Sequence, residues 1–489
     1  MAAVSTRAEE EAQLARWRLR PDNPFARLFP QLIANEFSPP DAIARHQDRR
    51  LQQVLASAVT RVPYYRSQFA TLGLQAADIR SQHDLPQLPI LSKHDVIENF
   101  DTLQAQGLPE MDRPSRLVQS SGTTGRPVKV AMSRWSVAMF GILAHRRRRW
   151  ARSDPMGTVC AIRIPSHFPQ TSGAPLQNGE MRRMERWFYL GTHFETGPAY
   201  GFNVWNPTDQ QLAWIKQIQP TYLETYPPTF EELAYANNSE SPARSITALF
   251  SSATGTAPSA RRLIERVYAA PLHDAYGLNE IGAVANRCEN GSYHIHTEHC
   301  IVEVVDEDGM PCAPGRMGRV LVTALQNLGM PLLRYDTGDV ARAGGSGCAC
   351  GRTLPFMAEI GGRFRRFGYL PEGTRERHYK LLDAIEATPV ELLKPLRQYQ
   401  LYQYRDHSFE LRVRSVGGMP AEFADRLQRI WAEIPGAGDT PLRVVEVEEI
   451  KASPSGKQLE FDSDFYPDPD ADIDPQLYRA ALSRIGREG

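Results

Sequence analysis

Six residues in the first third of the chain, Ser120-Ser-Gly-Thr-Thr-Gly125, constrain the fold more than any other stretch. They follow an apolar, strand-like run and lead directly into Arg126-Pro127. Glycine lets the backbone turn tightly enough for successive amide N–H groups to face a polyanion. The four hydroxyls add donors, and Arg126 adds a fixed positive charge. The plain alternative is a surface turn. A Walker A loop is excluded, because the G-x-x-x-x-G-K spacing is absent.

The patterns around this loop predict a layered fold. With 489 residues, the chain has room for about three domain-sized units, or one large domain and a smaller one. Residues 1 to about 110 read as helical. Asp41 to Val62 carries apolar positions at helical spacing, Pro63 stops it, and Pro86 and Pro89 mark turns. A capped helix starts at Ser92-Lys-His-Asp. From Leu117 to about Phe250, strands such as Thr158-Val-Cys-Ala-Ile-Arg-Ile alternate with helices such as Thr208 to Gln217, as in an α/β layer fold. Val302-Glu-Val-Val and Gly318-Arg-Val-Leu-Val-Thr read as a strand pair joined through an acidic turn. After Gly361-Gly-Arg a separate set begins, with Glu410-Leu-Arg-Val-Arg and Leu442-Arg-Val-Val-Glu-Val as strands. This predicts a large domain over 1–362 and a smaller α+β domain over 363–489. Pro467-Asp-Pro-Asp-Ala-Asp is an acidic linker before a last helix.

Composition removes several function classes. Lys plus Arg total 56 and Asp plus Glu 57, so no net field draws the chain to nucleic acid or an anionic membrane. The run His145-Arg-Arg-Arg-Arg-Trp150 stands alone and without interleaved aromatics, which predicts a solvated helix face. No apolar run reaches the ~18–20 residues of a membrane span. Three consecutive acids near the N-terminus, Glu9 to Glu11, argue against a signal peptide. Five of the six cysteines lie between Cys288 and Cys350, a clustering that points to metal in a reducing compartment and hence to a cytoplasmic enzyme. The stretch Tyr200-Gly-Phe-Asn-Val-Trp205 reads either as core or as the lining of an acyl pocket.

At this point the chain resembles a known family. Ser120-Ser-Gly-Thr-Thr-Gly-Arg-Pro127 is similar to the phosphate loop of adenylate-forming enzymes, the acyl-CoA synthetase and adenylation-domain superfamily. Tyr276-Gly-Leu-Asn-Glu-Ile-Gly282 resembles its Tyr-Gly-x-[Ser/Thr]-Glu motif, and Arg334-Tyr-Asp-Thr-Gly-Asp339 its Tyr-x-Thr-Gly-Asp motif. Gly362-Arg363 resembles the domain junction, and Pro454-Ser-Gly-Lys457 the C-terminal Gly-Lys motif. Val62-Pro-Tyr-Tyr-Arg-Ser-Gln-Phe, Leu88-Pro-Ile-Leu-Ser-Lys-His-Asp and Pro220-Thr-Tyr-Leu-Glu-Thr-Tyr-Pro-Pro-Thr narrow the likeness to phenylacetate–CoA ligase-like proteins. The implied fold is a multi-layer N-terminal adenylate-forming domain with a mobile C-terminal domain.

The resemblance implies roles for particular residues. Ser120, Ser121, Gly122, Thr123, Thr124, Gly125 and Arg126 would form the ATP phosphate loop, the last four holding the β- and γ-phosphates. Tyr276, with Gly277 and Asn279 beside it, would stack on adenine, and Asp339 would accept from the ribose hydroxyls. Glu280 would contact Mg²⁺, because a hard cation takes carboxylate oxygen. Arg363 would sit near ribose and phosphate, and Lys457 between the carboxylate and the α-phosphate. Three thiols and an imidazole (Cys288, His294, Cys348 and Cys350) match a structural zinc site. His296, His299 and Cys300 compete, because Cys-x₅-His is loose spacing.

The implied reaction joins a carboxylic acid, of aryl or arylacetic type, to ATP and then to CoA. An amine or a carrier-protein thiol is the alternative acceptor, and a non-catalytic nucleotide-binding paralogue the alternative class. A homodimer is compatible with the sequence and not specified by it. Three positions depart from the family pattern: Arg126 replaces a lysine, Asn279 stands for Ser or Thr, and Arg365-Arg366 replace acidic residues near the hinge. The last departure bears on the thioester step rather than on adenylation.

Overall fold

Two successive helices of the N-terminal region open on proline, at the position where a missing N–H costs least. The computed structural model describes residues 4–21, 23–119, 128–165, 168, 176–251, 255–256, 258–306, 308–345, 347–363, 396–406, 408–433, 442–450 and 461–464. Helices α1 (Arg7–Ala15), α2 (Leu28–Glu36) and α3 (Pro40–Arg61) come first. The expected stop at Pro63 does end α3, but the same proline starts α4 (Pro63–Leu72), which closes on Gly73 at φ +67°. Helix α5 (Lys93–Glu98) begins as expected. Ser92 Oγ accepts from Asp95 N (3.1 Å), and the Asp95 carboxylate accepts from Ser92 N (2.8 Å), a reciprocal capping box.

The chain divides into two units, Met1–Val118 with Lys129–Gly362, and Gln119–Val128 with Arg363–Gly489. In the first, β1 (Pro114–Gln119) and β2 (Lys129–Ser133) pair, with the glycine-rich motif between them in the sequence. Helix α6 (Arg134–Trp150) follows, then strands β3 (Val159–Arg163), β4 (Met181–Met184), β5 (Ala199–Asn203), β6 (Tyr222–Thr225), β7 (Ala248–Ser251) and β8 (Leu272–His273). Their order is β4-β5-β3-β6-β7-β8, all parallel except the edge strand β4. Both faces are covered, as a mainly parallel sheet requires. Cys160, Ile162, Leu223 and Leu249 pack with residues of α7 (Thr208–Ile218), α8 (Pro227–Ala236) and α9 (Pro258–Tyr268). Val159, Ala161, Tyr222 and Phe250 pack with Met139, Ile142 and Leu143 of α6. Phe202 is core, stacked on Trp214 at 4.6 Å, whereas Trp205 is exposed.

A seven-stranded sheet follows, from β9 (Ala275–Leu278), β10 (Gly282–Arg287), β11 (Tyr293–Ile295), β12 (Cys300–Val305), β13 (Met317–Ala324), β14 (Tyr335–Ala343) and β15 (Phe356–Arg363). Its order is β12-β13-β14-β15-β11-β10-β9. The expected strand pair is present, with Val302 opposite Val322. The second unit holds a four-stranded sheet in the order β18-β17-β16-β19, where β16 is Leu396–Gln403, β17 Phe409–Ser415, β18 Leu442–Glu446 and β19 Phe461–Ser463. The helix Ala421–Glu433 packs Phe423, Leu427 and Trp431 with Leu401, Leu411 and Val413 of that sheet. Among the described residues no helix is long and apolar enough to cross a membrane.

The arginine run departs from expectation. Four consecutive residues at ~100° each sweep about 300° of a helix, so they cannot share one solvated face. His145, Arg146, Arg148, Arg149 and Trp150 are buried. Arg146 donates to Glu36 (2.8 Å) and to Glu298 (2.8 Å), and Arg149 to Glu10 and Glu36. Arg147 and Arg148 turn the other way, to Glu224 on a strand of the parallel sheet, β6 (2.8 and 2.9 Å). Each of the four guanidinium groups meets a carboxylate, Arg147 and Arg148 sharing that of Glu224, which lowers the cost of burying them. The run pins α6 between the N-terminal helices and the sheet.

Candidate functional site

The antiparallel strands β9 and β10 run through the Tyr276–Gly282 motif, while β14 carries the Tyr335–Asp339 motif. Side chains join the two. Tyr276 donates its phenol hydrogen to Asp339 Oδ2 (2.6 Å), and Tyr335 donates to Glu280 Oε1 (3.0 Å). Burial, then the adjacent Asp339 carboxylate, push the Tyr276 phenol well above its ordinary range, so it stays protonated and remains a donor. Gly277 is required sterically: a Cβ there would lie 2.9 Å from the Gly282 carbonyl oxygen. Asn279 is exposed and Glu280 buried, so one short turn presents an amide outward and a carboxylate inward. On β14, Thr337 Oγ1 accepts from Asp339 N (3.0 Å) and donates to Val320 O (2.9 Å), which fixes the strand beneath the aspartate.

Residues that the motif reading used only as subfamily markers hold this strand in place. Tyr65 of Val62-Pro-Tyr-Tyr donates to Pro331 O (2.9 Å) and accepts from Leu333 N (3.1 Å). Arg334 is buried at φ +48°, and its guanidinium donates to Leu88 O (2.8 Å), Gly309 O (2.7 Å) and the Glu303 carboxylate (3.2 Å). Leu91 bridges to Tyr335. Tyr65, Glu303, Arg334 and Tyr335 were therefore missed as site supports. The available signal was the arginine directly before a tyrosine inside an otherwise apolar stretch.

Several sequence-based candidates lie outside the described residues: Ser120, Ser121, Gly122, Thr123, Thr124, Gly125, Arg126, Arg365, Arg366 and Lys457. Arg363 is the last residue of β15, and its side chain is likewise outside them.

The cysteine candidates do come together. The ligand atoms of Cys288, His294, Cys348 and Cys350 all lie within 4.8 Å of one another. A tetrahedral zinc with ~2.3 Å Zn–S bonds separates two thiolates by about 3.8 Å, and Cys288 and Cys348 stand 3.8 Å apart. Cys350 Sγ is 3.2 Å from His294 Nε2. His294 Nδ1 faces Leu354 O at 2.9 Å, which sets the tautomer with Nε2 free to ligate. The competitors point elsewhere: His296 Nδ1 meets Arg146 (2.7 Å), His299 Nε2 meets Ile281 O (2.7 Å), and Cys300 faces backbone carbonyls. These four donors fit a closed structural zinc site.

No protein-family model matches the chain. The fold is that of the adenylate-forming CoA ligases. A 2-hydroxyisobutyryl-CoA ligase in the postadenylation state, in complex with 2-HIB-AMP, superposes at a TM-score of 0.68 over 92% of this chain and 94% of its own, at 18% identity. An anthranilate CoA ligase in complex with anthranoyl-AMP superposes at 0.51 over 78% and 69%, at 14% identity. By sequence, the homologues are phenylacetate–coenzyme A ligases. That of Thermus thermophilus is 28% identical over 338 residues, 67% of this chain and 72% of that one. That of Escherichia coli is 29% identical over 334 residues, 66% and 71% respectively.

Proposed function

We propose that this chain is an ATP-dependent, AMP-forming acid–thiol ligase. A carboxylate attacks the α-phosphate of ATP, giving an acyl-adenylate and pyrophosphate; the thiol of CoA then takes the acyl group and releases AMP. The observation that carries this reading is the convergence of two motifs, with Tyr276 bonded to Asp339 and Tyr335 bonded to Glu280. Asp339, which accepts from Tyr276 through Oδ2, would also accept from a ribose hydroxyl, and the Tyr276 ring would stack on adenine. Glu280, held through Oε1, would direct Oε2 to Mg²⁺. Charge builds on phosphate oxygens in this reaction, so donors and cations rather than a covalent nucleophile do the work. Those roles fall to Ser120 through Arg126, Arg363 and Lys457.

An aryl or arylacetic acid is the substrate class, in keeping with the phenylacetate–CoA ligases it is similar to. Cys288, His294 Nε2, Cys348 and Cys350 would hold a structural zinc, whose chemistry is to staple loops rather than to react. A cytoplasmic setting suits such reduced thiols.

The test is pyrophosphate exchange into ATP across a panel of carboxylic acids, followed by product analysis with CoA, a carrier protein or an amine as acceptor. Acid-dependent exchange and a CoA thioester support the reading. Exchange with transfer only to an amine or carrier thiol corrects the acceptor. Nucleotide binding without exchange for any acid makes the chain a non-catalytic paralogue.

A further inference from the structure

The parallel sheet ends at its carboxyl edge in an arrangement that the adenylation chemistry does not use. In open α/β sheets the carboxyl ends of the strands are where ligands bind. Here Arg163, the last residue of β3, shares one carboxylate, Glu224 of β6, with Arg147 and Arg148 of α6. Three guanidinium groups on one carboxylate leave an excess of two positive charges. Among the described residues no second acid makes an ion pair with any of the three, because nearby Asp274 is taken by Arg261 (2.6 Å). Arg163 Nε and Arg148 Nη1 are buried and, among the described residues, have no hydrogen-bond partner. Leaving buried donors unmade costs free energy. Arg148 is partly compensated by the ring of Phe250, 3.6 Å below it. Arg163 has no such ring contact among the described residues, and its side chain is 14% exposed.

The surroundings of Arg163 are those of a binding wall. Tyr226 follows β6 directly and accepts from Ile164 N (3.2 Å), next to Arg163 in sequence. Tyr189, whose phenol also lies in the field of Arg163, sits at φ +59°. A bulky residue in that region is strained, and such strain gathers at ligand clamps. Its ring meets Phe140 edge-on at 5.6 Å. Phe140 is 42% exposed, unusual for so large an apolar ring, and reaches within 3.8 Å of where a Gly282 side chain would begin. Phe140 therefore lies beside Gly282, two residues past Glu280, and is in ring contact with Tyr189, which is in electrostatic reach of Arg163.

We propose that Arg163 is a specificity-determining residue that reads a second oxygen acceptor on the acid substrate. The substrate class becomes an aryl acid carrying a ring hydroxyl or carboxyl group. The ring lies along Phe140 and Tyr189, the reacting carboxylate points toward the Glu280 end, and the distal oxygen accepts from Arg163. This rests on the ligase reading above. A site built to hydrogen-bond a substrate group rejects the analogue that lacks it far more strongly than an apolar pocket rejects an extra methylene.

The experiment compares kcat/KM in acid-dependent pyrophosphate exchange for three acids with the same ring: unsubstituted, hydroxylated and carboxylated. Wild-type protein is expected to favour one substituted acid by about 100-fold or more. Which of the two wins identifies the acceptor. In Arg163→Met the preference should collapse to within about tenfold, Glu224 remaining paired with Arg147 and Arg148. Arg163→Lys keeps the charge and loses the guanidinium fork, so it should also lose most of the preference even if the methionine variant does not fold. Equal use of all three acids by wild-type protein, or a preference that survives in Arg163→Lys, overturns the inference and leaves the ligase intact. So does an equal loss for all three acids in either variant, which would place Arg163 on the reacting carboxylate. Absence of exchange with every acid tried removes the ligase reading itself.

Discussion

Glu224 offers a quantitative test of the buried charge that anchors α6 to the sheet. Burial alone would raise its pKa, but Arg163, Arg148 and Arg147 more than reverse that and hold it at about 2, against an ordinary value of 4.5. At ~1.36 kcal/mol per pKa unit, this depression amounts to about 3 kcal/mol of folding stability at neutral pH. Removing one partner of a buried ion pair costs a similar ~3–5 kcal/mol, because the remaining charges stay buried and unpaired. Glu224→Gln should therefore lower the unfolding free energy in urea at pH 7 by about 3 kcal/mol or more. The sign with pH follows from the depressed value. The wild-type advantage is fully present above the unfolded pKa and is lost as pH falls toward the folded one. The difference between the two proteins should thus be flat above about pH 5.5 and shrink to roughly half by pH 3. A loss below about 1 kcal/mol at pH 7, or a difference that does not change between pH 7 and pH 3, would refute this account of the arginine run.

Three further outcomes are expected. Protein purified without chelator should carry about one zinc per chain, and Cys350→Ser should lower both the metal content and Tm, since binding at a structural site is coupled to folding; metal analysis finding none would end that assignment. Asp339→Asn removes the charged acceptor of Tyr276 and the proposed acceptor of the ribose, so KM for ATP should rise about 10- to 100-fold, the equivalent of ~1.5–3 kcal/mol for a hydrogen bond to a charged group; an unchanged KM would remove Asp339 from the nucleotide site. If Arg365 lies near a hinge, as the family resemblance implies, Arg365→Asp should change acyl transfer to CoA more than acyl-adenylate formation in single-turnover measurements, because such a charge would bias the population of conformations. Equal effects on both steps would make Arg365 an ordinary surface charge.

Elements governed by local chemistry were legible in the sequence. The capping box at Ser92 and Asp95 and the pairing of β12 with β13 depend on neighbours or on alternation, and both stand where expected. The Tyr276 and Asp339 motifs could be singled out because the family they resemble restricts residue type there, and the structure brings their two side chains together. What could not be read depends on partners remote in the chain. Arg146 finds Glu36 and Glu298, which lie 110 and 152 residues away, so composition alone suggested a wet face. Tyr65 supports Pro331 across 266 residues, with no periodicity to announce it. The choice between His294 and His296 also needed three dimensions. Strand β11 ends at Ile295, so the two rings do not share a face: one turns to Cys350 and the other to Arg146. Pro63 was half legible, since proline ends one helix and begins another by the same fixed φ.

The claim on which the rest depends is that the acid is activated by AMP transfer. Single-turnover incubation of the protein with α-labelled ATP and an accepted acid, in the absence of CoA, separates the possibilities by product. The account predicts enzyme-bound acyl-AMP and an equal amount of pyrophosphate, with AMP and the CoA thioester appearing only when CoA is added. Labelled ADP with free phosphate, or thioester formation without an intervening acyl-AMP, would contradict it.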